Sequence, residues 1–596
     1  MKKYIILGFS LAAALFTLSS CNQSLLDIPK KGVIAYESFY DGSEESAESA
    51  ALSAYAAGIK CMNLADMDFT HWNIAPANFV LRNAPSDDTY YGSGGPADHV
   101  FGLEINEYRP SFGSNSSVIV ADYKAFYQFI YACNLVIDNF DPATSANVAR
   151  NVAEARALRA LAHLHLAIYW GNPPLMDHVM AADVHPTNTD HAELLAWIIK
   201  ELDEASAVLP SRGSKTNRDG AVRMTKEAAW AIEGKAQVFA GDYNGAKTTL
   251  KKVIDSGMFE LVPGTEMWRM FHASGDCSTE SVFEFNYVHN VNLGFAGGHT
   301  HGQRANSCTW RDLKKIPMPF IQINDGWGGG GNPSKSFVEA IMQNEPDSYR
   351  RKAWLISYEE LLTDYEYLLD KQVGNNAYVI KDESGNEYSF DLKADKDMTK
   401  EEKLMDPRRG LSASSYFGNV GWFMIKYMPL ETERPDPNDV HKNDNNTPVM
   451  RYAEVLLLYA EACAQTGDAS GLTYLNMVAE RAGAPTYSTL TMENVKKEKR
   501  FEMFMEGTRF PDLVRWGDAA TVLKDQGKEV PSFTDPFDLI NGVPHKAVID
   551  YSTAYYNTTY GFQAGKNELM PYPLGELQLN AYNEETGEGI KQNPGW

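Results

Sequence analysis

The sequence predicts a mainly α-helical protein: a tetratricopeptide-like, right-handed scaffold of repeated helix pairs, with a large irregular, loop-rich part and few short strands. Three segments predict this fold. In residues 154–171 the apolar side chains recur at i, i+3, i+4 and i+7, along one face of a helix. Residues 225–257 and 449–482 each predict two helices joined by a Gly-Asp turn, with small residues where paired helices pack closely. Because one pair cannot bury its apolar face alone, we expect the pairs to stack.

Individual helices are predicted from their periodicity and from their start and stop signals. Besides the two pairs, residues 44–60 and 191–209 each predict a helix, residues 121–170 are strongly helical, and residues 491–506 predict a third repeat set. Gly171 and the prolines that follow it stop the helical stretch at 121–170, and Pro210 ends the helix at 191–209. In the first pair Asp242 is expected to cap the second helix, and Gly257 to end it.

The N-terminus carries an export signal with a lipidation site. Two lysines precede an apolar run from Ile5 to Phe16, and small residues lead into Cys21. This order is typical of a signal peptide, and a cysteine at that point indicates a lipoprotein, whose thiol is acylated after cleavage. Residues 1–20 are therefore predicted as the signal peptide and residues 21–40 as a lipidated tether. The alternative is a secreted protein that begins with an unmodified Cys21.

The composition is that of a folded protein with an excess of acidic residues. Hydrophobic residues make up 44% of the chain and charged residues 22%. The 78 acidic residues outnumber the 54 basic ones, and the net charge of −24 argues against nucleic acid as a partner. Cys133 and Cys463 lie in apolar helical patterns and are predicted to be buried thiols, whereas a bridge between Cys277 and Cys308 is left open.

The chain divides into two helical regions separated by an insertion. Residues 41–262 form the N-terminal helical region, which is interrupted by loop-like sequence at residues 63–118. Residues 263–446 are an irregular insertion rich in turn residues, in which residues 280–287 alternate like a strand. Residues 447–596 return to repeat helices and end in loop-like sequence. Long loops in compact domains commonly carry function, so the loop sequence and the insertion are the expected ligand-binding parts.

No motif for catalysis, phosphate binding or a metal site is recognisable. The many carboxylates guarantee chance pairs, but no pair lies in a known hydrolase motif. The glycine run GWGGGGNPSKS has Ser334 where a phosphate-binding loop needs glycine before its lysine. His299 and His301 lack an evident third ligand, and residues 395–401 lack the glycine of an EF-hand loop. We therefore expect no cofactor and leave a bound calcium ion open.

Five segments, in order along nearly the whole chain, resemble the sequence blocks of a known family. They are EARALRALAHLHLAIYWGNPPL (154–175), MTKEAAWAIEGKAQVFAGDYNGAKTTLKKVIDSGMFELV (224–262), TPVMRYAEVLLLYAEACAQTG (447–467), KRFEMFMEGTRFPDLVRWG (499–517) and PYPLGELQLNAYNEETGEGIKQNPGW (571–596). On these residues the chain resembles the SusD/RagB family of outer-membrane nutrient-binding lipoproteins of Bacteroidetes. It departs from the family pattern at Lys499, where glutamate is common, and at Trp596, where tyrosine is common.

The resemblance implies a lipid-anchored protein on the outer face of the outer membrane. Such proteins lie over a TonB-dependent transporter of the SusC/RagA type and capture nutrient for import. Most known members bind glycans, the RagB branch shows that peptides are also taken, and the family has no catalytic activity. The expected function is thus capture of an oligosaccharide and its delivery to the transporter. Capture of an oligopeptide and a lid without ligand affinity are the alternatives.

Exposed aromatic rings are the expected glycan contacts, because sugars present flat C–H faces to rings while polar side chains bond their hydroxyls. Rings in irregular segments are better candidates than Trp170, Trp230 and Trp516, which lie in helical segments and are expected to be structural. In the resembled family, ligand aromatics come from comparable N-terminal and GWG-type loops. The candidate clusters are Trp72 with Asn73; Asp87, Asp88, Tyr90 and Tyr91; and Trp310 with Arg311, Asn324 and Trp327. Trp327, which lies among glycines, is the first choice.

Overall fold

The computed structural model describes residues 39–63, 77–92, 95–97, 100–181, 183–286, 331–363, 377–381, 387–391, 399, 416–427, 445–534, 536, 546–552 and 560–596. The predicted signal peptide, nearly all of the tether and the lipidation site Cys21 lie outside these ranges. Within them, no helix is both long enough and apolar enough to cross a membrane.

The first half of the described chain is mainly helical. Its elements are α1 (Glu44–Asn63), α2 (Ala77–Asn83), β1 (Thr89–Tyr90), α3 (Val100–Asn106), α4 (Ser117–Asn139), α5 (Ala146–Trp170), α6 (His191–Ser206), α7 (Asp219–Val222), α8 (Lys226–Phe239), α9 (Tyr243–Asp255), the 3-10 segments Gly264–Phe271 and Ala273–Gly275, and β2 (Ser281–Phe285).

The second half mixes short strands with helices. Its elements are β3 (Asn332–Pro333), α10 (Lys335–Asn344), α11 (Tyr349–Trp354), β4 (Leu355–Ser357), α12 (Tyr358–Thr363), β5 (Ala377–Lys381), β6 (Glu387–Asp391), β7 (Tyr416–Phe417), β8 (Trp422–Met424), β9 (Thr447–Arg451), α13 (Tyr452–Gln465), α14 (Gly471–Arg481), α15 (Met492–Glu502), α16 (Arg509–Arg515), α17 (Ala519–Val522), β10 (Val530–Thr534), β11 (Val548–Ser552) and α18 (Leu574–Leu579).

The helix pairs stack as the sequence predicts, and the stack continues across the insertion. Each helix packs on the next in the order α4, α5, α6, α8, α9, α13 and α14. Helices α9 and α13 are therefore neighbours in space although the whole insertion separates them in sequence. The predicted mainly helical, tetratricopeptide-like scaffold with few short strands is confirmed.

The α8–α9 pair shows how local sequence builds one repeat. The Asp242 carboxylate accepts a hydrogen bond from the Gly245 N–H at 2.9 Å, so the predicted cap of α9 is present. On the inner face of α9, Ala246, Leu250 and Val253 are buried. A Cβ at Gly234 would lie 2.4 Å from Leu250, so the glycine of α8 permits the close approach of the two helices.

Two predicted segments contain separate helices. The segment predicted as strongly helical at 121–170 contains two helices, α4 and α5. Between them Pro142 offers no N–H, and the Ser145 hydroxyl caps α5 by accepting from the Val148 N–H at 3.3 Å. The segment predicted as irregular at 63–118 contains the short helices α2 and α3.

Small antiparallel pairings connect distant parts of the chain. The pairs are β1–β3, β2–β9, β4–β8 and β5–β6, together with the three-stranded order β11–β10–β7. Strand β2 lies within the predicted strand at 280–287, and Phe285 pairs with Thr447 at the start of β9. Strands β2 and β9 therefore hold the two ends of the chain segment between them side by side.

The C-terminal tail is tied to the end of α5. The Asn593 amide donates to the carbonyl oxygens of Trp170 and Met570 at 3.0 and 2.7 Å. The Trp170 indole is fully buried and donates to the Pro571 carbonyl at 3.0 Å. Trp170 is therefore structural, as predicted, and Trp230 and Trp516 are half-buried.

The described cysteines are buried and unbridged. Cys133 and Cys463 are free buried thiols, as predicted, and Cys61 is a third. Cys277 is also free, and burial raises the pKa of its thiol to about 12. Its suggested partner, Cys308, lies outside the described residues.

A buried network of ion pairs joins the insertion to the C-terminal helices. Arg350 of α11 is fully buried and pairs with Glu345, Glu498 and Glu502. Arg451, at the end of β9, continues the network by pairing with Glu502 at 3.2 Å. Burial opposes the charge on Glu502, but the surrounding guanidinium groups outweigh it and lower the pKa of this carboxyl.

The same network extends to the start of β2 and the end of β8. The Glu280 carboxylate accepts from Arg481 and Arg451, and the Glu506 carboxylate accepts from Arg451 at 2.6 Å and Lys426 at 2.7 Å. Burial lowers the pKa of Lys426 to about 8, against the attraction of Glu506. Since each charge is buried, every member depends on its partners.

We predict that Arg350→Met destabilises the protein strongly. The substitution leaves buried carboxylates without their cation, which commonly costs about 3–5 kcal/mol. The matched control is Arg156→Met, which removes a half-exposed arginine paired with Glu201 and Glu204 and should cost about 1 kcal/mol or less. Urea denaturation measures both free energies of unfolding, and equal losses would contradict a special role for the buried network.

His163 of α5 is held as a neutral ring. It is fully buried, its Nδ1 bonds the Arg159 carbonyl at 2.9 Å, and its Nε2 accepts from the Met176 N–H at 3.1 Å. Burial disfavours the charged ring and lowers its pKa to about 4. A second ring proton, on Nε2, would also face the Met176 N–H. Its neighbour His165 bonds Asp122 instead, so the two rings do not meet, as their spacing predicts.

We predict that His163 contributes acid lability between about pH 6.5 and pH 4. In this window the unfolded chain binds a proton that the folded ring refuses, so stability is lost as pH falls. The loss approaches about 3 kcal/mol over the window. His163→Gln should remove this pH dependence, whereas His178→Gln, at an exposed site, should keep it. Unfolding curves at pH 7, 5.5 and 4 test this, and parallel curves for wild type and His163→Gln would contradict it.

Candidate functional site

The structure describes strand β3, which follows the segment that carries Trp327, and the residues packed around it. We call β1, β3 and the start of α10 the loop base. Strand β3 pairs with β1, with Thr89 opposite Pro333 and Tyr90 opposite Asn332. Trp327 precedes Asn332 by five positions in the sequence and lies outside the described residues. The pairing therefore fixes one end of the segment in which the sequence places its first-choice ligand residue.

Two buried aspartates hold this base in place. Asp87 and Asp88 are 6% and 2% exposed, and both pair with arginines of the C-terminal helices. Arg500 binds Asp88 at 2.6 Å and Asp87 at 3.0 Å, while Arg509 binds Asp87 at 2.8 Å. Burial raises the pKa of Asp88, whereas at Asp87 the two arginines outweigh burial and lower the pKa. We call Asp87, Asp88, Arg500 and Arg509 the arginine clamp.

The arginine clamp binds the chain immediately after β3. The Ser334 N–H donates to the Asp88 carbonyl at 2.9 Å, and the Ser334 hydroxyl donates to the Asp87 carbonyl. Arg500 also donates to the Ser336 hydroxyl at 2.9 Å. The clamp thus connects the start of α10, the β1 turn and helices α15 and α16 in one place.

The adjacent tyrosines are structural. Tyr90 is 5% exposed and donates to the Glu107 carboxylate, while its ring meets Phe417 edge-on at 6.4 Å. Tyr91 is fully buried, against the helix α3 backbone at Gly102. Both rings therefore pack beneath the loop base and have little surface to offer to solvent.

The exposure that the sequence led us to expect at Asp87, Asp88, Tyr90 and Tyr91 is wrong. The Gly- and Pro-rich surroundings indicated an open loop, but the arginines that cover the aspartates come from more than 400 positions along the chain. In this structure these side chains position the loop base. The other predicted ligand residues lie outside the described ranges; they are Trp72, Asn73, Trp310, Arg311, Asn324 and Trp327.

An exposed ring that the sequence analysis missed lies next to the loop base. Tyr551 of β11 is 42% exposed, and the Lys335 ammonium lies 4.7 Å from its ring centroid. Lys335 begins α10, three positions after Asn332. Tyr551 is opposite Pro531 in β10, whose carbonyl accepts from the Gly418 N–H at 2.8 Å. The alternation of side-chain types in residues 548–552 indicates this strand, but the sequence on either side of it is loop-like.

The exposed side chains described at the loop base are of types that can bind a surface ligand. No cluster of three or more histidine, cysteine, aspartate or glutamate side chains in these ranges could hold a metal ion. The exposed groups at the loop base are a ring and an ammonium, which can stack on an apolar face and donate a hydrogen bond. This arrangement suits recognition of a polyhydroxylated ligand at the surface.

Two family models match the chain. Residues 305–596 match the SusD family, and residues 98–236 match a family described as starch-binding and associating with the outer membrane. A SusD-like protein from Bacteroides ovatus is 24% identical over 518 residues, covering 85% of this chain and 81% of the relative. The starch-binding protein SusD of Bacteroides thetaiotaomicron is 24% identical over 393 residues, covering 64% of this chain and 67% of the relative.

A solved structure shares the fold. Surface glycan-binding protein A from Bacteroides thetaiotaomicron, in complex with laminarihexaose, superposes with a TM-score of 0.62 at 21% identity. The superposition covers 92% of this chain and 99% of that protein. The family models, the relatives and this shared fold agree over both helical regions. The chain belongs to the SusD/RagB family, a family of binding proteins rather than enzymes.

Proposed function

We propose that this protein captures a glycan at the cell surface and passes it to a transporter. The observation that carries the proposal is the loop base: the arginine clamp holds the end of the segment that bears Trp327 beside the exposed ring of Tyr551. Membership of the SusD/RagB family supports a binding role, and a protein of similar fold is described in complex with laminarihexaose.

Binding would use several weak contacts on a rigid support. An aromatic stacking contact contributes about 0.5–1.5 kcal/mol beyond the area it buries, so one ring alone gives little affinity. Trp327 and Tyr551 would stack on sugar faces, and the Lys335 ammonium would donate to a hydroxyl or ring oxygen. The clamp lowers the entropic cost of binding, because it fixes the loop end before the ligand arrives.

This chain would capture the glycan, and its membrane partner would import it. An acylated Cys21 would hold the protein on the outer membrane through the tether at residues 21–40. The helical stack would then place the loop base over a TonB-dependent transporter of the SusC/RagA type. The family description of association with the outer membrane supports this location. We also propose that the chain has three structural parts: residues 41–262, 263–446 and 447–596.

Calorimetric binding tests the ligand class. Residues 22–596 are titrated with neutral plant and host polysaccharides and, separately, with a peptide digest. We expect saturable binding to a neutral glycan and none to the digest. Binding to peptides alone would replace glycan by oligopeptide as the ligand. Absence of binding to either would contradict capture by this chain and leave ligand recognition to the transporter.

We predict that Trp327→Ala weakens glycan binding at least tenfold without lowering the melting temperature. Its neighbours are glycines, so the ring is expected to serve the ligand rather than a helix interface. Trp170→Ala is the opposing control, since removal of that fully buried indole should lower the melting temperature. Unchanged affinity in Trp327→Ala would contradict its place in the site.

We predict that Tyr551→Ala weakens binding by about three- to tenfold, since one stacking contact is lost. Tyr131→Ala is the matched control, because Tyr131 on α4 is 53% exposed but lies on a different element. Both variants should fold normally, and calorimetry with the same glycan compares them. If Tyr131→Ala lowers affinity as much as Tyr551→Ala does, the loop base is not the binding face.

A further inference from the structure

A carboxyl group is buried between the two helices of the α8–α9 pair. Glu233 of α8 is 4% exposed, and its Oε1 accepts from the Gln237 amide at 3.0 Å and from the Thr249 hydroxyl of α9 at 3.2 Å. The adjacent Gly234 permits the close approach of α9, since a Cβ there would lie 2.4 Å from Leu250. The carboxyl group therefore lies in a tightly packed interface.

Two buried oxygen atoms of this group of side chains have no donor. In the described part of the chain, no hydrogen-bond donor reaches Glu233 Oε2 or Gln237 Oε1. A buried acceptor without a donor is costly, because it has lost its hydrogen bonds to water. An ionised Glu233 can only accept, so it leaves both oxygens unsatisfied. A protonated Glu233 has one O–H donor, which can satisfy both oxygens at once.

The surroundings of Glu233 also oppose a charge on it. Burial has the largest effect, and the Asp203 carboxylate of α6 adds to it. The Lys252 ammonium of α9 and the two donors to Oε1 act in the opposite direction, but their combined effect is smaller. Together these groups raise the pKa of Glu233 to about 7.

We propose that Glu233 holds a proton at neutral pH and donates it in a hydrogen bond to Gln237 Oε1. The two side chains then form a reciprocal pair, in which the amide donates to the acid and the acid donates to the amide. Loss of the proton breaks this pair and adds a buried charge near Asp203, so the α8–α9 contact loosens as pH rises. Because α9 also packs on α13, this contact is a pH-sensitive element where the two helical regions meet.

The direction of the pH dependence follows from the raised pKa. Glutamate has an ordinary pKa of about 4.3, so between about pH 4.3 and pH 7 the folded protein keeps a proton that the unfolded chain has released. The stability that Glu233 contributes is fully present below this window and is lost as pH rises through it. His163 acts in the opposite direction, so wild type and variant are compared at each pH.

The test uses Glu233→Gln in residues 22–596, because its neutral amide can donate to Gln237 Oε1 at every pH. Urea unfolding gives the equilibrium constant of each protein at pH 5 and pH 8. We expect the constant of the wild type, relative to that of the variant, to rise at least tenfold between these pH values. Infrared difference spectra between pH 6 and pH 8 should show a protonated carboxyl band that only the wild type loses. A ratio that does not change with pH, or the same band in the variant, would overturn the proposal.

Glu201→Gln is the matched control. Glu201 of α6 is also a buried glutamate, but it pairs with Arg156 and Arg159, each at 2.7 Å. Burial opposes its charge, but the two arginines outweigh burial and lower its pKa, so this variant should be less stable than the wild type at pH 8. If Glu233→Gln is destabilised at pH 8 in the same way, Glu233 is charged there and the proposal is wrong.

Amide hydrogen exchange locates the effect within the molecule. After correction for the intrinsic exchange rate at each pH, protection of α8 and α9 should fall between pH 6 and pH 8 more in the wild type than in Glu233→Gln. Equal falls in the two proteins would overturn the proposal. Neither measurement depends on whether the protein binds glycan.

Discussion

The buried ion network around Arg350, Arg451 and Glu502 constrains how the insertion packs on the C-terminal helices. Helix packing explains the stack, because each pair buries its apolar stripe against the next. In its described residues the insertion has short helices and strands, and its apolar side chains, among them Phe337 and Trp354, form a second, smaller core with Phe501 and Phe504. The ion network adds a polar connection: Glu280, Arg350 and Lys426 reach inward to meet glutamates and arginines of the C-terminal region. Apolar side chains around it exclude water, so its charges interact strongly with one another.

Helix α15 connects this network to the candidate site. Glu498 and Glu502, one turn apart, face the buried arginines, while Arg500, two positions from each, faces the aspartates beneath the loop base. The same short helix therefore fixes the insertion and the strand that ends the Trp327 segment. A binding loop needs such support, since weak stacking contacts give affinity only when they are already in position.

A structural feature could be predicted from the sequence where the residues that cause it lie close together along the chain. The α8–α9 pair was predictable because Asp242 and the stripe through Leu250 act within a few turns of one another. The burial of Asp87 and Asp88 was not, since their arginine partners come from the far end of the chain. Tyr551 was missed because its strand is short and its exposure follows from pairing with β10. Trp327 stays a prediction based on sequence and family resemblance.

A crystal structure of the protein with the glycan that binds in calorimetry is the decisive experiment. We expect sugar rings to stack on Trp327 and Tyr551, close to Lys335. We also expect Arg500 and Arg509 to remain on Asp87 and Asp88 as they are without ligand. A glycan bound on another face, or a complex in which the clamp opens and its aspartates contact the sugar, would contradict this binding site.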